Sequence, residues 1–336
     1  MKSINIRFLA TEDVQSLIEQ CEIIEVTEDA YRRTGLGEIV TPTKVSIPLP
    51  GNNERDMHWI NSMPSFLKAE NIAGIKWVNV TSQNRKKGLP VTMATFILND
   101  GETASPVAVM DGTWITHMRT GASVAIGAKH FARKNSEVVT IIGAGSEGHS
   151  AFGSILKLFN IRKLNLFDIN KAAAKAFVEK VEKDIQCEYC IFDDAAKAVK
   201  DADITVLTTT ARKPILNFDT AKPGDFICTI SCMTDLDAAY VQKSDKFIVD
   251  DIHCALSRIS AMSGLNVTPQ DIHGDICEIL SGQKPGRQSN EEIITWSPAG
   301  MGGVDVAVAA KVYQRAVNAN IGVQLPLIRD LNSLVM

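Results

Sequence analysis

A chain of 336 residues is longer than one core usually needs, so about two domains are expected. Hydrophobic residues make up 45%, charged residues 22%, and the formal net charge is −4. That balance is ordinary for a globular protein and gives little electrostatic support to nucleic-acid binding. The start MKSINIRFLATEDV lacks the apolar core of a signal peptide, and no run approaches membrane-spanning length. Seven cysteines, odd in number and scattered, suit reduced thiols in a cytoplasm better than a disulfide framework.

The first third of the chain has helical segments near residues 11–35, then apolar stretches KVSIPL, MHWINSM, GIKWVNV, VTMATFILND and PVAVMDG. Two of these are joined by LNDGETASP, a turn-rich linker that predicts an antiparallel hairpin. The helix TGASVAIGAKHFAR leads onward. From residue 137 the texture changes. The runs VVTII, KLNLFD, EYCIF, ITVLTTT, DFICTIS and KFIVDD alternate with segments of helical spacing such as HSAFGSILKLF and KAAAKAFVEKVEKDI. Alternating buried strands and helices predict βαβ units around a parallel sheet. A last apolar-striped helix, VAVAAKVYQRAVNAN, can return to the first domain. The expected fold is therefore α/β: a Rossmann-type doubly wound parallel sheet over 119–306, and a discontinuous, mainly antiparallel α+β domain from 1–118 and 307–336.

The strand VVTII runs into Gly143-Ala144-Gly145-Ser146-Glu147-Gly148 and a helix, which is G-x-G-x-x-G in the context it needs. Gly143 permits the tight turn, Gly145 lets backbone approach a pyrophosphate, and Gly148 allows close helix–strand packing. The helix N-terminus adds N–H donors and a favourable dipole. Asp168 closes the second strand 20 residues past Gly148, where a carboxylate can bind both ribose hydroxyls of NAD and repel a 2′-phosphate. NAD is thus expected over NADP, although Lys171 and Lys175 follow closely. The nicotinamide is expected past the strand carboxyl ends, near Thr208, Thr209, Thr210 and Ser231.

Three cations stand in strand or strand-edge contexts of the first domain: Lys44, Lys76 and Arg119. Lys76 lies within the apolar run GIKWVNV, where an unpaired ammonium costs several kcal/mol. A carboxylate-bearing substrate would supply the missing anion, as would an internal acid the sequence does not locate. Cys187 and Cys190 form a C-x-x-C without a helix start or second pair, so a structural role is expected. His117, His130, His149, His253 and His273 fall at no metal-ligand spacing, and no metal is expected. His117, beside Arg119, is the one histidine expected near the cleft.

GIKWVNV, N-x-x-KGLP, PVAVMDGTWIT, MRTGAS, AKHFARKNS, GAGSEG, VDD and the late GM-x-x-x-D-V-A together resemble the ornithine cyclodeaminase/μ-crystallin family, especially its NAD-dependent amino-acid dehydrogenases (alanine dehydrogenase-like) and imine reductases. The resemblance implies a Rossmann domain, a discontinuous substrate domain that also forms a homodimer, and an amino, imino or 2-oxo acid substrate. It assigns the carboxylate to Lys76 and Arg119 and places Lys44 in the same pocket. Lys76 would also assist proton transfer if its pKa were brought down. Ser146, Glu147, Thr120 and Met301 join the cofactor-contacting candidates by their places in the matched motifs.

Two positions depart from the family pattern. Ornithine cyclodeaminases carry a catalytic aspartate just after the fifth Rossmann strand, where Met233 stands in SCMTDLD, with Asp235 two residues on as the candidate acid. Many relatives carry an arginine two residues before the Met-Pro of the first domain, where Asn61 precedes Met63-Pro64, leaving Arg55 or His58 as replacements. Both changes argue against ornithine. A loosely similar loop occurs in a branch that splits an amino-acid conjugate, which keeps N-substituted amino acids in view. Alternatives are cyclodeamination of ornithine to proline with catalytic NAD, and a non-enzymatic μ-crystallin-like protein holding NAD(P)H and a small ligand.

Overall fold

The computed structural model describes residues 3–51, 57–182 and 187–331. It divides into two compact units, Met1–Arg119 with Met301–Met336, and Thr120–Gly300. Arg55 lies outside the described residues.

The first unit opens with β1 (Ile4–Leu9), α1 (Thr11–Leu17) and α2 (Gln20–Gly35). The strands β2 (Ile39–Val40), β3 (Val45–Pro48), β4 (His58–Leu67), β5 (Ile72–Thr81), β6 (Thr92–Asp100) and β7 (Pro106–Asp111) follow, then α3 (Thr113–Phe131). Asp111 starts α3 by accepting from the Thr113 and Trp114 amides at 3.0 and 3.3 Å. The division between units falls within this helix, after Arg119.

The second unit continues with β8 (Val138–Ile142), α4 (Ser146–Ile155), β9 (Lys163–Phe167), α5 (Lys171–Val181) and β10 (Glu188–Phe192). Next come α6 (Ala195–Ala198), β11 (Ile204–Leu207), β12 (Phe226–Thr229), α7 (Ala239–Lys243) and β13 (Lys246–Val249). It closes with α8 (Ile252–Ser263), β14 (Gly274–Asp275), α9 (Ile276–Leu280) and β15 (Ile294–Ser297). The chain then returns to the first unit as α10 (Gly302–Ala319) and β16 (Val323–Ile328). The return falls at Met301 rather than at residue 307, because α10 starts at Gly302 and packs along β4, β5 and α2.

In the first unit the strand order is β16-β1-β7-β6-β5-β4-β2, with β3 also on β4, and every pairing but β1–β7 is antiparallel. Strands β4 to β7 alternate as one-sided antiparallel strands should. In β5, Gly74, Lys76 and Val78 are buried, while Trp77 between them is 42% exposed. The buried face meets α10. On the other face Val323, Phe8, Val109, Ile97 and Ile75 stand opposite one another from strand to strand, and Phe8 and Ile97 are exposed.

The second unit is a wholly parallel sheet in the order β10-β9-β8-β11-β12-β15-β13-β14. Strands β11, β12, β13 and β15 are buried at every residue, the mark of a sheet covered on both faces. The order steps outward in opposite directions from β8, so β8 and β11 flank the switch point of a doubly wound sheet. β15, ITWS, is a strand that sequence reasoning missed. At the far edge β10 is exposed and carries Cys190, with Cys187 half-buried just before it and both thiols free.

Candidate functional site

In the first unit, the pleat of β5 sends Lys76 to the face covered by α10, where it is 1% exposed. Its cross-strand neighbours are apolar, Met63 on β4 and Phe96 on β6. The partner that sequence reasoning did not locate is Asp305, in the first turns of α10 and fully buried. Lys76 Nζ stands 2.7 Å from Asp305 Oδ2, an ion pair without hydrogen-bond geometry at that oxygen. Arg119 Nε donates to Asp305 Oδ1 at 2.5 Å. Two nearly buried cations therefore share one buried carboxylate.

Glycines make this approach possible. A Cβ at Gly74 would stand 2.9 Å from Val306 Cγ1 on α10, and one at Gly302 would stand 2.6 Å from the Pro64 carbonyl on β4. With side chains there α10 would be held off the sheet, and Asp305 would not reach Lys76. Thr41 Oγ1 further accepts from the Gly303 amide at 3.1 Å. One clue was in the sequence: Asp305 is the D of GM-x-x-x-D-V-A, a single acid within a run, Met301–Ala310, that is otherwise apolar and buried throughout.

Burial lowers the Lys76 pKa, and the Arg119 guanidinium lowers it further. Asp305 pulls the other way and Lys44 adds a smaller lowering, leaving the ammonium at about 7. Both protonation states are then populated at neutral pH. Lys44 itself is half-buried, just before β3. Asn61, buried on β4, accepts from Ser46 Oγ at 2.6 Å, so its amide is fixed by β3. Beside it Met63, Val78 and Ala94 form a small apolar cluster.

In the second unit the glycine motif has the anticipated form. Gly143 follows β8 with φ +107°, and a Cβ on Gly148 would lie 2.3 Å from the Gly143 carbonyl. Gly145 caps α4, and a Cβ there would meet nothing within 4 Å. Packing does not require that glycine; a ligand seated against the backbone would. Ser146 and Glu147 form the first turn of α4. Asp168, after β9, accepts from the Ala144 amide (2.7 Å) and the Asn170 amide (2.7 Å), which aims it at the same turn. These residues suit a dinucleotide: a strand–turn–helix for its pyrophosphate and a fixed carboxylate for its ribose.

The hydroxyls past the strand ends are more occupied than the sequence suggested. Thr208 Oγ1 donates to the Gly143 carbonyl at 2.9 Å and thereby holds the glycine turn. Thr209 Oγ1 donates to Asp235 Oδ2 at 2.8 Å, and Ser231 and Thr229 donate to Oδ1 at 2.5 and 2.7 Å. Asp235 was the expected catalytic acid of this loop, and the structure places it among these hydroxyls. It is fully buried, and its oxygens face these three hydroxyls. Two consecutive left-handed residues, Cys232 (φ +57°) and Met233 (φ +65°), turn the chain inward ahead of it. Burial raises the Asp235 pKa, and the hydroxyls oppose that rise. Thr120, half-buried, follows Arg119 on α3, and Met301 precedes α10 as its N-cap. Among the described residues no three His, Cys, Asp or Glu side chains gather as metal ligands. No helix there is long and apolar enough to cross a membrane.

A doubly wound unit with a complete dinucleotide turn, and a first unit with paired buried cations, define a dehydrogenase-like class of protein. The chain belongs to the ornithine cyclodeaminase/mu-crystallin family, whose pattern matches residues 5–320. It is 34% identical to the alanine dehydrogenase of Archaeoglobus fulgidus over 330 residues, 96% of this chain and 98% of that one. Among solved structures it resembles an archaeal alanine dehydrogenase dimer with bound NAD (TM-score 0.88, 34% identity, 97% of this chain and 100% of that one). It also resembles the Δ1-pyrroline-2-carboxylate reductase of Thermococcus litoralis in complex with NADH and L-proline (TM-score 0.88, 32% identity, 95% and 100%).

Proposed function

We propose that the protein is an NAD(H)-dependent oxidoreductase that transfers a hydride between nicotinamide and the α-carbon of a small amino or imino acid. The observation that carries this reading is the pair of nearly buried cations, Lys76 and Arg119, set against one buried acid, Asp305. Lys76, Arg119 and Lys44 gather positive charge around Asp305, which a substrate carboxylate would answer. Bound NAD(H) supplies the carbon that gives or takes the hydride. The Gly143–Gly148 turn would hold its pyrophosphate and Asp168 its ribose.

Lys76 and Arg119 would grip the carboxylate and so fix the α-carbon. With its pKa near 7, Lys76 would also carry the proton at the substrate nitrogen. Met233 is buried where the cyclodeaminases carry an acid, and Asp235 is turned inward. That loop thus supplies no acid for a second substrate ammonium, which favours the dehydrogenase or reductase reading over cyclodeamination of ornithine.

The homodimer and the cytoplasm belong to the same proposal. The exposed apolar row through Phe8 and Ile97 offers a face for a second copy, and the free thiols fit a reducing compartment. The test is NADH absorbance with purified protein and a panel of 2-oxo acids with ammonia or methylamine, plus cyclic imino acids. Steady NADH oxidation with a member of the panel is expected. No oxidation across the panel, with proline and ammonia formed from ornithine, would overturn the reading; NADH binding without any turnover would leave a binding protein.

A further inference from the structure

Within that functional reading, on which this inference rests, the role of Asp305 remains to be assigned. It is neither a surface acid nor a helix-capping one. It reaches the sheet only because Gly74 and Gly302 let α10 seat there, and its two oxygens go to two different cations.

We propose that Asp305 is the positioning residue of the carboxylate site, a resident anion that orients Lys76 and Arg119 toward each other before substrate arrives and sets the charge the site presents.

Three features support the assignment. First, Lys76 and Arg119 come from separate elements, β5 and α3, and Asp305 on α10 is the carboxylate that touches both. Held at Nε, the Arg119 guanidinium is restricted in how it can turn, which reduces the ordering needed when a ligand carboxylate binds. Second, the charged groups that act on Lys76 come from several elements. Asp305 comes from α10, Arg119 from α3 and Lys44 from the segment before β3, while β4 and β6 contribute the apolar Met63 and Phe96. Asp305 is the one of these that favours the ammonium form. Third, Lys76 and Arg119 both lie against Asp305 with Lys44 acting on the same ammonium, so positive charge gathers around one acid where a ligand carboxylate would find oriented cations. A site without Asp305 would hold its cations against each other, and Lys76 would escape by losing its proton.

The prediction follows for protein labelled with 13C at lysine Cε, with the Lys76 resonance assigned by its loss in Lys76→Met. In the ligand-free full chain, Lys76 titrates near 7 in the wild type. In Asp305→Asn its midpoint falls by about one pH unit or more, a tenfold loss of proton affinity. The acidic limb of kcat/KM moves down with it, and KM rises at least tenfold. A midpoint that does not move in a folded Asp305→Asn, with only a lower melting temperature, would overturn the proposal and leave Asp305 a packing residue. If Asp305→Asn does not fold, Asp305→Glu decides. It keeps the charge, so the midpoint stays close to wild type while KM rises; a fall of about one pH unit there would overturn the proposal. The titration needs no turnover. A moved midpoint in a protein that reduces nothing would sink the enzymatic reading alone, and turnover with an unmoved midpoint would sink this inference alone.

Discussion

Two fully buried carboxylates of this molecule, Asp305 and Asp235, have surroundings that differ in kind. Asp305, in the first unit, is matched to an ammonium and a guanidinium. Asp235, in the second, is matched to three hydroxyls. A buried carboxylate set against neutral donors satisfies itself, and its use is to hold the loop that follows β12 and to fix Thr209 and Ser231. A buried carboxylate set against two cations leaves charge unbalanced, and unbalanced buried charge is costly unless a ligand answers it. The acid nearest the expected catalytic position is thus bonded to neutral hydroxyls, and the acid that sequence reasoning passed over lies against Lys76 and Arg119.

The largest test of this contrast is Lys76→Met. It removes a buried cation but leaves the Arg119–Asp305 pair and fills the space with an apolar chain. Turnover should fall about 10³-fold or more, while NADH affinity, measured by fluorescence titration, stays within about twofold. Parallel loss of NADH binding and of folding would make Lys76 a structural residue.

Stability of the same variant should depend on pH. The folded-state pKa of Lys76 lies at about 7 against 10.5 unperturbed. A lowered pKa means the contribution is favourable above 10.5 and lost as pH falls through 7. Lys76→Met is free of that loss, so its advantage in denaturant midpoint over the wild type should grow from pH 10.5 down to 7 and then level off. Roughly a few kcal/mol is expected. A gap that is constant with pH would show that Lys76 does not change charge in the fold.

Asp235→Asn sharpens the other side. The amide keeps an acceptor but cannot take three hydroxyls, and about 1–3 kcal/mol of stability should be lost in thermal or denaturant melts. Turnover should fall less than in Lys76→Met, since Asp235 is placed to hold groups and not to move protons. Loss as deep as that of Lys76→Met, with stability intact, would restore Asp235 as the acid.

The smallest effect on the fold is expected at Gly145→Ala, where the added Cβ meets nothing. The melting temperature should hardly change, but NADH affinity should fall about tenfold because the methyl occupies the pyrophosphate's approach. In contrast, Gly148→Ala would press on the Gly143 carbonyl and lower both.

What the sequence by itself determined was whatever is encoded over short range. The parallel sheet was legible because six of its eight strands, β8 to β13, carry short apolar runs, while β14 (Gly274–Asp275) and β15 went unread. The glycine turn was legible because turn, helix start and Asp168 are set by spacing along one βαβ unit. Lys76 stood out because a cation in an apolar strand has few bland explanations. Tertiary structure alone decided which acid meets which partner. Arg119 and Asp305 are 186 residues apart, and they meet only because Gly74 and Gly302 let α10 lie on the sheet. Asp235 sits two residues past Met233, where the family resemblance led us to expect an acid, and two left-handed residues precede it. The direction of a side chain after a loop depends on backbone torsions and on the hydroxyls waiting around it, and no spacing along the chain encodes either.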